Sequence, residues 1–144
     1  MAANHDINAN QGETLNLHIL YTDSDDSGID LSSYIAEMQV RRSSLSDDRI
    51  LHLYSGIDPG GITAGITGSN SGDGITGGIF LNRNIGNSGG QTGGILIIAG
   101  STATSHVPSG RHIYDLEVKY TPTGDTTRIL EGRYENKSET TRWN

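Results

Sequence analysis

Within this 144-residue chain, the arrangement with the sharpest chemical meaning is Asp23-x-Asp25-x-Ser27-Gly28. Alternating oxygen-bearing side chains on a short loop can wrap a hard cation, and glycine permits the sharp turn that such a loop needs. Asp30 would add a further carboxylate. The second half of a calcium loop is missing, because the twelfth position, which should carry a bidentate glutamate, is Tyr34. The competing reading is a solvated acidic turn between two strands, since Asp and Ser bond back to nearby amides and Gly accepts positive φ. Asp23, Asp25, Ser27 and Asp30 are thus a weak calcium candidate, and neither a metal nor any other cofactor is expected.

Other chemistry has less to stand on. His5, His18, His52, His106 and His112 form no His-x-x-x-His or His-Glu-x-x-His pair, so no compact zinc site is spelled out, and isolated strand histidines are expected at the surface. The many glycines include neither a Gly-x-x-x-x-Gly-Lys-Ser/Thr loop nor a Gly-x-Gly-x-x-Gly that opens a helix. No Gly-x-Ser-x-Gly elbow joins a strand to a helix. Asp115 and Glu117 share one strand face, which suits a solvated stripe better than a pair of glycosidase carboxylates. Arg41, Arg42, Arg128 and Arg133 are candidates for engaging an acidic neighbour, because the guanidinium fork pairs well with carboxylates at interfaces.

Composition narrows the function classes. The net charge of −7 opposes a general nucleic-acid role, which rewards a basic surface. There are no cysteines, hence no disulfides. No apolar stretch approaches the roughly 18 residues needed to span a bilayer, and residues 1–11 lack the basic start and apolar run of a signal peptide. Only 33% of residues are hydrophobic while 20 are glycine. That balance predicts one domain over 1–144 with a thin core and a large loop.

The elements that would position these residues are strands. Leu15, Leu17 and Ile19 alternate with Asn16 and His18, and Tyr34, Ala36, Met38 and Val40 alternate with Glu37, Gln39 and Arg41. Both runs have the period of two of a half-buried strand. Residues 48–55 form a third strand with poorly separated faces, read as an edge, and 6–10 a short edge strand. Residues 56–100 then hold 15 of the 20 glycines and only three charged residues. Gly-Ile recurs there six times at irregular intervals, which is no fixed-period solenoid. Strands are expected over 78–82 and 93–99, inside a long Gly-rich insertion spanning 56–94. Such a loop, apolar and almost uncharged, is a poor solvent face. Ile62, Ile66, Ile75, Ile79 and Phe80 are therefore interface candidates, and the block is expected to become fixed on assembly. Residues 101–106 suit a single helical turn stopped by Pro108. The strongest strand is 111–120, with Tyr114, Leu116, Val118 and Tyr120 inward, followed by a hairpin at Pro122-Thr123-Gly124-Asp125 and a return strand burying Leu130 and Tyr134. A polar tail, 136–144, ends near Trp143, expected to anchor in a neighbour. The whole reads as an all-β sandwich of about seven to nine short strands.

Several segments, taken in order, resemble small virion structural proteins of tailed phages, most closely those of contractile-tailed phages infecting cyanobacteria. Gln11-Gly12-Glu13-Thr14 is similar to that family's opening, and Tyr34-Ile35-Ala36-Glu37-Met38-Gln39-Val40-Arg41 to its Tyr-x-Ala-x-Met-Gln-Val-Arg strand. Pro108-Ser109-Gly110-Arg111-His112-Ile113-Tyr114-Asp115-Leu116-Glu117 resembles its Pro-x-Gly-Arg-x-x-Tyr-Asp-Leu-Glu strand. Thr127-Arg128-Ile129-Leu130-Glu131-Gly132-Arg133-Tyr134 resembles its Thr-Arg-Leu-Leu-Glu-Gly-Arg-Phe strand, with Tyr134 in place of phenylalanine; Ser33 likewise stands where the pattern has glycine. The likeness covers about 5–55 and 93–142. It implies an immunoglobulin-like sandwich without catalytic residues, in a protein made in the host cytoplasm and ending in the virion. The implied partners are other phage virion proteins, met as a homo-oligomer or as repeated copies, without nucleic acid or membrane. Tail, baseplate and neck are the expected stations. A capsid decoration protein is the alternative, and a carbohydrate-binding host-attachment module a weaker one, since exposed aromatics are few.

Overall fold

The structure, a computed structural model, describes residues 2–43, 49–55, 66–68, 77–85, 89–105 and 107–138. Among the described residues, ten strands and one short helix follow in chain order: β1 (Ala3–Asn4), β2 (Ile7–Asn10), β3 (Leu15–Leu20), β4 (Tyr34–Arg41), β5 (Arg49–Tyr54), β6 (Ile66–Gly68), β7 (Gly77–Arg83), β8 (Gly90–Ala99), α1 (Ser101–Ser105), β9 (Gly110–Tyr120) and β10 (Asp125–Lys137). They form two sheets. The larger runs β1-β10-β9-β4-β5-β6, with β2 also on β10, and the smaller runs β3-β8-β7. The fold is an all-β sandwich.

Alternation in the sequence becomes the two faces of each sheet. Ala36, Met38 and Val40 of β4, Leu51 and Leu53 of β5, and Tyr114, Leu116 and Val118 of β9 meet Ile79, Ile95, Ile97 and Ala99 of the small sheet in one core. Each fully buried Leu or Ile contributes about 1.5–3 kcal/mol. β8 departs from alternation because it is central and buried on both faces, the condition that produces a continuous apolar run. Leu96 and Ile98 face away from the core, in a separate buried cluster with Phe80.

The strands expected over 78–82 and 93–99 are present as β7 and β8, with β8 already beginning at Gly90. Four local expectations need correction. β5 is not an edge, since β6 pairs beside it in parallel; its faces looked unseparated because His52 and Tyr54 are buried as well as Leu51 and Leu53. Tyr120 is exposed at the end of β9, stacked obliquely on Tyr34 with ring centroids 5.1 Å apart. The polar tail starts later than 136, because Asn136 and Lys137 complete β10 and Asn136 is buried. Finally, His52 and His112 are buried rather than superficial.

The N-terminal strands reach the large sheet through a glycine. β1 and β2 both pair in parallel with β10, and the chain steps across at His5-Asp6. There the His5 carbonyl lies over Gly132, where any Cβ would collide with it. The same carbonyl accepts the Tyr114 hydroxyl.

Candidate functional site

The outer face of the large sheet, turned away from the core, carries a concavity of about 560 Å³ lined by side chains of β4, β9 and β10 and by Asn4 and Asp6. Strand register sets its pattern. One cross-strand row reads Arg128, Glu117, Glu37, Tyr54, and the next Glu131, Asp115, Gln39, His52. A third holds Arg133, Ile113 and Arg41. These are the positions that alternate with the core residues, so the polar half of each strand pattern builds the site.

The charges on this face are arranged unevenly. Glu37 and Glu117 are directly opposed, a placement that destabilises a sheet unless cations offset it. Arg128 sits among three acids, with Nε 3.3 Å from Asp115 and 3.8 Å from Glu117, and Nη1 3.9 Å from Glu131. On the far side His52 Nε2 lies 2.6 Å from Glu37 Oε1. Gln39 donates to the same Glu37 oxygen at 2.6 Å and accepts from Arg41 Nη2 at 2.6 Å. Arg133 is held by Asp6, through its backbone amide at 2.9 Å and its guanidinium at 3.3 Å. Those hydrogen bonds from Arg133 keep the Asp6 carboxyl below its ordinary value. Burial pushes Asp115 the other way, aided by Glu131 and Glu37 against the pull of Arg128 and Arg41.

Asp6, Glu37, Asp115, Glu117 and Glu131 thus outnumber Arg41, Arg128 and Arg133 on this surface. Of the arginines expected to seek an acidic neighbour, Arg41, Arg128 and Arg133 are already engaged within the chain, and Arg42 is exposed. The face as a whole has acid to spare.

The remaining expectations fall elsewhere. Asp23 Oδ1 accepts from the amides of Asp25 at 2.8 Å and Ser27 at 3.1 Å, and closes its own turn. Asp30 Oδ1 accepts from the Ser32 amide and from Asn82 Nδ2, both at 3.0 Å, which lower its pKa. Among the described residues no three His, Asp or Glu side chains converge on a metal position. Ile79 is fully buried in the sandwich core against β8, so it is not available to a partner, and Phe80 is buried with Leu96 and Ile98. Ile66 lies on β6. Ile62, Ile75 and Trp143 fall outside the described residues.

Sequence reasoning missed one residue entirely. Asn82, at φ 57° beside the irregularity in β7, accepts from the amides of Leu31 at 3.0 Å and Gly93 at 3.1 Å while donating to Asp30. It ties the loop before β4 to β7 and β8. Asparagine tolerates the left-handed region better than most residues, but nothing in Leu81-Asn82-Arg83 announces that role.

No protein-family profile matches the chain, and no curated protein matches it either.

Proposed function

We propose that this protein is a non-enzymatic structural component of a tailed-phage virion, built into the tail, baseplate or neck, and that it works by packing against neighbouring virion proteins. The observation that carries this reading is where the phage-like segments fall. Three of them are β4, β9 and β10, adjacent strands of the large sheet. The fourth, Gln11 to Thr14, docks on α1 and the turn leading into β9, where Gln11 Nε2 donates to the Val107 carbonyl at 3.1 Å and Thr104 Oγ1 of α1 to the Glu13 carbonyl at 2.8 Å. Resemblance scattered through the chain therefore gathers into one structural unit.

An immunoglobulin-like description of the sandwich is supported by strand order. A sheet of β10-β9-β4-β5 against one of β3-β8-β7 follows the GFCC′ and BED arrangement, with the first strands added in parallel beside the last.

The outer face of the large sheet is the packing surface we favour. Its excess of carboxylates, the opposed Glu37 and Glu117, and the raised Asp115 suit a neighbour that brings lysine or arginine side chains. A density map of the whole particle tests the reading. A chain traced in the tail, baseplate or neck, with Glu37, Asp115 and Glu117 against basic residues of another protein, is the expected result. A copy number matching the capsid lattice would move the station to the capsid surface. Absence from purified particles would overturn the proposal.

A further inference from the structure

Three buried side chains that strand register places next to each other each leave a polar atom without a partner among the described residues: the Tyr134 hydroxyl, His112 Nδ1 and Asn136 Oδ1. Their residues are 0%, 4% and 2% exposed. Tyr134 and His112 are direct cross-strand partners. Asn136 is two residues further along β10 on the same face, opposite Gly110, which has no side chain to occupy the space.

Hydrogen bonds already made fix what each group offers. His112 Nε2 lies 2.8 Å from the Pro108 carbonyl. A carbonyl only accepts, so Nε2 carries a ring proton, and in the neutral imidazole Nδ1 then presents a lone pair. Asn136 Nδ2 donates to the Val107 carbonyl at 2.7 Å, which orients the amide and leaves Oδ1 as an acceptor. The remaining inventory is one donor, the tyrosine hydroxyl, and two acceptors. A direct bond from Tyr134 to either acceptor would strand the other, and a stranded buried polar group is costly.

We propose that this part of the core is a binding site for one internal water molecule, which accepts from the Tyr134 hydroxyl and donates to His112 Nδ1 and Asn136 Oδ1. Water has the two hydrogens and the lone pair that this inventory requires, and three bonds is the usual complement of a buried water. A cation such as ammonium has no lone pair to receive the tyrosine proton. The site lies against the 107–108 turn, which also receives Gln11, so the water joins the β9–β10 pair to the place where the N-terminal segment docks.

Water–protein cross-relaxation NMR on the full-length, isotopically labelled protein tests this. The expected result is a cross peak from the His112 ring proton next to Nδ1 to a slowly exchanging water, together with the proton-on-Nε2 tautomer. Replacing Tyr134 (Tyr134→Phe) should keep that cross peak and shorten the residence time about tenfold, the loss of one hydrogen bond. Lack of a slow water in the native protein would overturn the proposal, as would a through-bond coupling from the Tyr134 hydroxyl to His112 Nδ1. If Tyr134→Phe does not fold, the native spectrum decides alone.

Discussion

Single side chains here hold segments together more than they prepare chemistry. Asn82 is the clearest case, with three hydrogen bonds that tie its own strand to two other segments. Asn82→Ala would leave the amides of Leu31 and Gly93 without their acceptor, so we expect a loss of about 1–3 kcal/mol in urea unfolding. The two perturbed carboxyls near the concavity make a second test, because their signs differ. Asp6 is stabilised as the anion by Arg133. Its contribution is present above the unfolded-state value of 3.8 and disappears as the pH falls through its lower folded value. Burial favours the neutral form of Asp115, so stability is lost as the pH rises from 3.8 towards its raised folded value. Carboxyl carbon titration by NMR should find Asp6 below and Asp115 above the ordinary range. Both shifting the same way would contradict the geometry.

At the scale of elements, Gly132 decides whether the first strands can lie beside the last. Gly132→Ala would drive a Cβ into the His5 carbonyl and disturb the acceptor of the Tyr114 hydroxyl, whose pKa burial and the Asp6 charge push up to about 12. The expected cost is about 1–3 kcal/mol, as for other overpacking. Hydrogen exchange should lose protection at the His5 and Arg133 amides while Leu116 stays protected. The strands that carry the concavity were legible because each has one buried and one solvated face: β4 and β9 alternate in the sequence as they do in the sheet. β5 and β8 were less legible, since burial on both faces erases the alternation that marks a strand. β7 was legible as a strand over 78–82, but the glycine-rich run around it suggested a partner-facing insertion, whereas Ile79 and Phe80 fill two separate buried clusters. The outer face was only half legible. Spacing put Asp115 and Glu117 together, but register alone sets Glu37 against Glu117 and Arg128 among three acids.

For the whole molecule, the two sheets divide the work. The core between them needs no partner, and the smaller sheet buries apolar clusters on both sides. The larger sheet leaves a charged concavity open, and like charges placed opposite each other there cost stability that a rigid sandwich tolerates. A surface kept at such a cost fits a role in binding rather than in folding. Changing Glu117 and Glu131 to lysine together would reverse the charge surplus while leaving every core residue in place. Both side chains are substantially exposed and contribute only surface ion pairs to Arg128, so the change in unfolding free energy should stay within about 1 kcal/mol. Incorporation into particles should instead fall severely, because a basic neighbour would meet a basic face. The measurement is the amount of variant protein in purified virions against the amount of folded variant in the infected cell. A folded variant that enters particles as well as the native chain would remove this face from the assembly contact and turn attention to the sheet edges, where β3 pairs with β8 alone among the described residues.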